Sequence, residues 1–203
     1  MLSTSCRHGG KWGFSLGRYY ITDRKRCPAS LLDCIEANAA SGCERIQIRE
    51  KDMPARDMFE LVRAAIARAR PHGAAVLVNS RVDVALAAGA DGVHFPTRAP
   101  GPSEFEAILP AAFLVGMSTH SIGEIREAER CGADFVVFGP VYRTASKPRL
   151  TRPLGVEMLR RACRSTALPV AALGGLTQER AQECAEAGAA AIAGISMFQS
   201  GPA

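Results

Sequence analysis

The chain of 203 residues is 47% hydrophobic and 22% charged, and it carries a formal net charge of +5. These values are typical of one globular domain that buries a sizeable core. The basic residues are nearly all arginine, and no basic run carries interleaved aromatic residues, so the composition favours small acidic ligands over nucleic acid.

Seven cysteines are scattered along the sequence without a CxxC pair. An odd number of unpaired cysteines, with no apolar segment near the N-terminus, predicts reduced thiols in the core of a cytoplasmic protein. No apolar run approaches the length of a membrane span, so we expect no membrane association.

The predicted elements alternate between strand and helix from residue 18 onwards. Hydrophobic periodicity predicts strands over 18–22, 43–49, 74–78, 92–95, 112–117, 135–138, 170–173 and 190–195. Helices are expected after a cap at Ser30, over 58–69, near 82–88, weakly after Pro102, and over 121–131, 156–165 and 177–187. We assign residues 1–16 to an N-terminal extension and residues 17–203 to one domain.

A short repeat supports this count of eight strand–helix units. Gly42, Gly89, Gly132 and Gly188 each follow a predicted helix and precede a strand, at intervals of 47, 43 and 56 residues. Each interval holds about two units, which predicts an α/β fold of the (β/α)8 TIM-barrel type with parallel strands. A doubly wound open sheet is the competing fold.

The predicted eighth helix is short or missing, because Ala203 follows the last strand closely. Either a partner subunit in a homodimer or three apolar residues of the extension could cover the resulting gap. Those residues are Trp12, Phe14 and Leu16.

The stretch after residue 45 is the first candidate binding element. Gln47, Arg49 and Lys51 alternate along one side of a predicted strand end, within a charged run, Arg49 to Asp52, that a core is not expected to absorb. Arginine offers a planar fork and lysine a point charge to anionic oxygens, so this comb of donors suits a phosphate-bearing ligand. The alternative is an ordinary solvated strand end.

The other strand ends are also polar, and in a barrel they meet at one working face. Glycines after strands seven and eight, followed by backbone N–H groups at a helix start, predict a phosphate cradle. Alone, the glycine pair could be a tight turn and Ser196 a helix cap. The candidates after strands three to eight are Asn79, His94, Ser118, His120, Thr144, Ser146, Lys147, Gly174, Gly175, Ile195 and Ser196.

Over residues 18–198 the chain resembles the thiamine phosphate synthases and the related thiazole tautomerases. The resemblance rests on the segments YYITD, QIREKD, VNSRVDVALAAGADGVHF, GMSTHS, GADFVVFGPVYRTASK, PVAALGG and AGIS. It implies a TIM barrel that binds a thiazole phosphate. The synthases join that compound to a pyrimidine pyrophosphate with Mg²⁺, whereas the tautomerases isomerise a thiazole carboxylate phosphate without a metal.

Most of the synthase pattern carries over residue by residue. Gln47, Arg49 and Lys51 match the pyrophosphate-binding residues, and Ser118 matches the serine of strand five. The TxTK loop is matched by Thr144, Ser146 and Lys147, and the thiazole-phosphate cradle by Gly175, Ile195 and Ser196.

The departures concern the metal. Ser80 and Ala99 stand where the synthases carry Mg²⁺-binding aspartates, with Arg98 beside the second position. Mg²⁺ is usually held by one or two carboxylates plus phosphate oxygens, so we expect no bound metal. His120 matches the catalytic histidine of the tautomerases, and its alternative role is a structural one; we expect His94 to be structural.

Three functions remain open at this stage. The sequence favours a metal-independent thiazole tautomerase, with His120 as general acid and base and no cofactor. The alternatives are a thiamine phosphate synthase with weakly held Mg²⁺ and a non-catalytic protein that binds the phosphate ligand.

Overall fold

The structure is a computed structural model that describes residues 16–97, 99, 101–144 and 152–199. Its strands are β1 (Gly17–Ile21), β2 (Arg45–Ile48), β3 (Ala75–Asn79), β4 (Gly92–Phe95), β5 (Leu114–Thr119), β6 (Phe135–Phe138), β7 (Val170–Leu173) and β8 (Ala191–Gly194). Its helices are α1 (Leu31–Ala40), α2 (Ala55–Ala69), α3 (Val82–Ala88), α4 (Ile122–Arg130), α5 (Val156–Arg164), α6 (Gln178–Glu186) and α7 (Ser196–Gln199).

The strands form a closed parallel barrel in the order β1 to β8, and β8 pairs with β1 to complete it. The predicted TIM barrel is therefore confirmed, and the open-sheet alternative is wrong. All eight strands point the same way, so their C-terminal ends and the loops that follow them form one edge, which we call the C-terminal rim.

Two hydrophobic cores result from the alternation of side chains along each strand. The inner core fills the barrel with residues that include Tyr19, Leu77, Phe135 and Val137. The outer core lies between the sheet and the helices, where the apolar faces of α1, α2 and α4 pack. Because side chains alternate along each strand, every second residue points into the barrel, including those near the rim.

Most predicted boundaries agree with the structure, and β5 shows the largest shift. Phe113 N donates to Pro110 O in a turn, so the strand starts at Leu114 and continues to Thr119. Ser118 is thus a strand residue and not part of the following loop. Ser30 occupies the cap position of α1, but its side chain makes no capping hydrogen bond.

The two weakest predicted helices are both short. Among the described residues of the connection after β4, the one helical segment is the 3₁₀ turn Pro102–Phe105. After β8, α7 is described for four residues and is anchored by two amides, because Asn38 Nδ2 donates to Phe198 O at 2.7 Å and Gln199 Nε2 donates to Asp23 O at 2.8 Å.

Of the residues expected to cover the gap beside α7, Leu16 packs against the outer core. Trp12 and Phe14, with the rest of residues 1–15, lie outside the described residues. No helix in the described ranges combines the length and apolar character that crossing a bilayer requires.

The expectation that the cysteines are core thiols is wrong for Cys27, Cys34 and Cys131, whereas Cys163 packs against the outer core and Cys6 lies outside the described residues. Cys43 and Cys184 are buried, but the other described cysteines, Cys27, Cys34, Cys131 and Cys163, are only partly buried. Periodicity does not distinguish these positions because cysteine is small enough for either environment.

Candidate functional site

The three donors of the comb, at the end of β2, differ in how far they are buried. Gln47 is 1% exposed inside the barrel, and its Nε2 has no hydrogen-bond partner among the described residues. Arg49 is partly buried above it, and Lys51 is exposed. A buried amide donor without a partner loses its hydration, which makes Gln47 a strong candidate for binding an acceptor on a ligand.

Glu50, in contrast, does not belong to a solvated run. Its side chain is 2% exposed and accepts hydrogen bonds from Thr22 Oγ1 at 2.6 Å and from Arg24 N at 3.1 Å. Arg24 also forms a fork with the exposed Asp52. The prediction that no core absorbs this charged run is wrong at Glu50, because the β1 loop supplies the donors that a buried carboxylate needs.

A chain of three side chains crosses the top of the inner core. The hydroxyl of Tyr19 lies 3.2 Å from His94 Nδ1, and His94 Nε2 lies 2.9 Å from Ser118 Oγ. Gly116 is required beside them, since a Cβ there would lie 2.7 Å from His94 Nδ1 and 2.4 Å from the Phe135 ring. His94 is thus structural, as expected, but it also contacts a candidate site residue.

The protonation states of this chain follow from its burial. Burial lowers the pKa of His94 to about 3, and the nearby Arg49 charge lowers it as well, so the imidazole is neutral. Burial raises the pKa of Tyr19, which therefore keeps its proton. A neutral imidazole carries one N–H, so His94 donates to one of the two hydroxyls, that of Tyr19 or that of Ser118, and accepts from the other.

His120 follows β5 and is exposed at the rim. Its Nδ1 contacts the carbonyl oxygen of Gly139, which can only accept, so Nδ1 carries the proton and a neutral ring presents a lone pair on Nε2. Ser121 caps α4, since its Oγ accepts from Glu124 N, while Glu124 Oε2 accepts from His120 N at 2.6 Å. This contact holds the backbone of His120 in place.

The loop after β6 is joined to the end of β7. Val141 N donates to Leu173 O at 2.8 Å, and Tyr142 N donates to Gly174 O at 3.1 Å. Thr144 is described and partly buried, whereas the predicted phosphate-binding residues Ser146 and Lys147 lie outside the described residues.

The glycine pair after β7 needs the conformational freedom of glycine. Gly174 and Gly175 have φ values of 105° and 63°, and a Cβ on Gly175 would lie 2.3 Å from Arg143 O. Arg180 from α6 donates to Gly175 O at 2.6 Å, and its guanidinium lies 4.7 Å from the centroid of the Tyr142 ring. One arginine therefore holds the glycine turn and the β6 loop together.

The end of β8 lies beside this turn, since Leu173 pairs with Ala193 in the sheet. Ile195 is partly buried and Ser196 is exposed at the start of α7. The predicted cradle residues after β7 and β8 are thus brought together at one side of the rim.

The residues from 18 to 198 match the family described as thiamine monophosphate synthase. This chain belongs to the thiamine monophosphate synthase family. The resemblance seen in the sequence is confirmed, and it places the barrel in thiamine biosynthesis.

Individual relatives agree with the family assignment. A putative thiamine-phosphate synthase from Geobacter sulfurreducens is 42% identical over 193 residues, which are 95% of this chain and 90% of the relative. A putative thiamine-phosphate synthase 2 from Aquifex aeolicus is 39% identical over 89% of this chain and 96% of its own length. The solved thiamine phosphate pyrophosphorylase from Pyrococcus furiosus has 34% identity and a TM-score of 0.81, covering 92% of this chain and 89% of that one.

The residues at the family's metal positions do not fit Mg²⁺. Ser80 and Ala99 offer no carboxylate, and no group of three or more potential metal ligands occurs among the residues that the structure describes. Glu50 and Asp52, which lie closest in sequence to the comb, are engaged by Arg24. Asn79 Nδ2 donates to Ser80 Oγ at 2.8 Å, and Ser80 has a positive φ of 64°, a conformation that asparagine and aspartate tolerate better.

Four residues that connect the strand ends at the rim were not predicted from the sequence. Thr22 and Glu50 join the ends of β1 and β2, while Tyr142 and Arg180 join the β6 and β7 loops. Their contacts span 28 and 38 residues along the chain, so no local spacing signals them. The one available signal is the position of Glu50 directly after a strand that carries other polar residues.

Proposed function

We propose that this barrel joins two phosphorylated substrates, a pyrimidine that carries a diphosphate and a thiazole that carries a monophosphate, with release of the diphosphate. The observation that carries the proposal is the presence of two separate places for anions on one rim. Gln47 lies in β2 and Arg49 and Lys51 follow it, and the glycine cradle follows β7 and β8. Only β1 separates β2 from β8, which sets the two places about 10 Å apart at the usual strand spacing.

The names of the relatives support the same reaction. Proteins that cover most of this chain at 37–42% identity are named thiamine-phosphate synthase, among them the Geobacter sulfurreducens and Roseiflexus castenholzii proteins. The sequence alone favours isomerisation. We place coupling first and isomerisation second because the relatives are named as synthases.

The side chains suggest how the coupling proceeds. The buried Gln47 amide and the Arg49 guanidinium donate to the diphosphate and stabilise the negative charge that grows on it as its bond to the pyrimidine breaks. The new bond to the thiazole forms as the diphosphate leaves with the electron pair. The glycine cradle orients the thiazole through its phosphate, and the Ser118 hydroxyl donates a hydrogen bond from the floor of the site.

Isomerisation of a thiazole carboxylate phosphate is the second candidate, because a specific observation favours it. His120 is exposed at the rim with its Nδ1 on the carbonyl oxygen of Gly139, and both metal positions lack carboxylates. A proton transfer between ring atoms needs one phosphate site and one acid–base group, and it needs no metal.

The two substrates can be tested separately with one variant on each side of the rim. We expect Arg49→Gln to raise the KM for the pyrimidine diphosphate and Gly175→Ala to raise the KM for the thiazole phosphate. The second effect follows because the added Cβ would collide with Arg143 O. Steady-state coupling assays that vary one substrate at a time measure both constants, with and without Mg²⁺.

The same preparation distinguishes the other functions. A chain that isomerises the thiazole carboxylate phosphate in EDTA and releases no diphosphate would overturn the coupling reaction in favour of the second candidate. A chain that does neither but binds the thiazole phosphate in calorimetry would be a binding protein. Ser80→Asp combined with Ala99→Asp should create a measurable affinity for Mg²⁺ that the parent lacks.

A further inference from the structure

Two cysteines that are seven residues apart meet beside the barrel. Cys27 follows the 3₁₀ turn Arg24–Arg26, and Cys34 lies in the first turns of α1. Their Sγ atoms are 2.6 Å apart, whereas a covalent S–S bond measures about 2.05 Å. Both thiols are reduced in this structure and partly exposed.

We infer that Cys27 and Cys34 form a dithiol site that a disulfide-class oxidant converts to an intramolecular disulfide. The inference is independent of the reaction at the rim. It rests on the approach of the two sulfur atoms and on their access to solvent, which Cys43 and Cys184 lack. Neither cysteine belongs to the short motifs on which the resemblance in the sequence rests.

The chemistry balances with a disulfide as the oxidant. One protein thiolate attacks a sulfur of the oxidant, forms a mixed disulfide and expels the first thiolate. The second protein thiol then loses its proton, attacks the mixed disulfide and expels the second thiolate. The two protein thiols lose two electrons and two protons, and the oxidant becomes two thiols.

The bond would tie Cys27, at the end of the 3₁₀ turn, covalently to α1. The 3₁₀ turn before Cys27 carries Arg24, whose backbone and side chain hold Glu50 next to the comb of donors. A bridge to α1 closes a loop of eight residues and restrains this turn. We expect the oxidised chain to have a Tm that is higher by roughly 5 °C.

Mass spectrometry can detect the bond in the full chain. Trypsin cleaves after Arg26 and Arg45, so one peptide carries Cys27, Cys34 and Cys43. After incubation with oxidised glutathione, denaturation and alkylation without reduction, we expect this peptide to carry a single alkyl group, on Cys43, and to be about 2 Da lighter than the reduced peptide with one alkyl group. Three alkyl groups on the peptide of the oxidised chain would overturn the inference.

Matched variants separate this pair from ordinary thiol oxidation. Cys27→Ser should abolish the oxidised peptide and the rise in Tm, while Cys131→Ser, at another partly buried cysteine, should leave both unchanged. Phenylarsine oxide, which bridges two neighbouring thiols, should protect Cys27 and Cys34 together from alkylation. Equal protection of Cys131, or a bridge to a cysteine other than Cys34, would contradict the assignment.

Discussion

At the scale of single residues, His94 shows how the barrel interior controls the rim. The ring is 2% exposed and lies between Tyr19 and Ser118. Because it accepts from one neighbour and donates to the other, its neutral tautomer determines where the Ser118 hydroxyl proton can point. A protonated ring would lose the hydrogen bond that it accepts and place an unpaired charge in the core.

This burial predicts a pH-dependent stability. The pKa of His94 falls from 6.5 to about 3 on folding, mainly through burial and then through the charge of Arg49. Between these values the unfolded chain binds the additional proton, so the free energy of unfolding should fall as the pH falls, by up to about 1.4 kcal/mol per unit. Urea titrations at pH 7, 6 and 5 measure the slope before most carboxylates titrate.

A control at an exposed histidine isolates the effect. His72→Gln should keep the slope of the parent, whereas His94→Gln should reduce it if the variant folds. The NMR shifts of the His94 ring provide a second test on the parent chain, because they should not change between pH 8 and pH 5. A ring that titrates near pH 6.5 would contradict the prediction.

His120 distinguishes the two candidate reactions by its own chemistry. General acid–base catalysis contributes about 10²–10⁴-fold, so His120→Asn should lower isomerisation by that factor and leave the Kd of the phosphate ligand nearly unchanged. Coupling, which uses no proton transfer at Nε2 in the proposed mechanism, should change by less than about tenfold. His72→Asn serves as the control, and loss of phosphate binding in His120→Asn would indicate a structural role instead.

At the scale of elements, the β1 and β2 ends behave as one unit because of Glu50. Replacing this carboxylate by Gln should cost about 2–3 kcal/mol, since Thr22 and the Arg24 backbone lose a charged acceptor in a buried place. Asp52→Asn removes an exposed carboxylate from the same arginine and should change stability far less. Chemical unfolding of both variants measures the difference, and equal losses would show that burial of Glu50 is unimportant.

The β6 and β7 loops form a second unit, held by Arg180. Removing its hydrogen bond to Gly175 O should loosen the cradle, so Arg180→Gln should raise the KM for the thiazole phosphate about tenfold, with a smaller effect on kcat. Arg180→Lys, which keeps a donor but loses the planar contact with Tyr142, should recover part of the loss. Arg164→Gln on the exposed side of α5 is the control. A drop in kcat alone would contradict a positioning role.

At the scale of the whole molecule, closure of the barrel leaves no strand of the sheet at an edge. β8 pairs with β1 to close the sheet, and Phe198 and Gln199 of α7 are buried. We therefore expect a chain that lacks residues 1–15 to keep a cooperative thermal transition. Calorimetry tests this, and loss of the transition would show that the extension belongs to the fold. Light scattering on both chains tests the predicted homodimer.

Local patterns in the sequence are sufficient to predict the barrel and most of the residues at its rim. Alternating apolar residues predict strands, helix-ending glycines recur about every two units, and polar residues follow each strand, because these signals are local in the chain. Gln47, Arg49, Ser118, Gly174 and Gly175 could be placed at one face on that basis alone. The resemblance to the family assigns phosphate binding to residues at the same positions.

The burial of individual polar residues and the pairing of distant side chains are visible only in the folded chain. The burial of Glu50, the proton state of His94, the contact of Arg180 with Gly175 O and the meeting of Cys27 with Cys34 all depend on loops brought together by barrel closure. Neighbours in space determine whether a side chain is buried and which groups it contacts. The sequence does not distinguish a buried carboxylate or thiol from an exposed one.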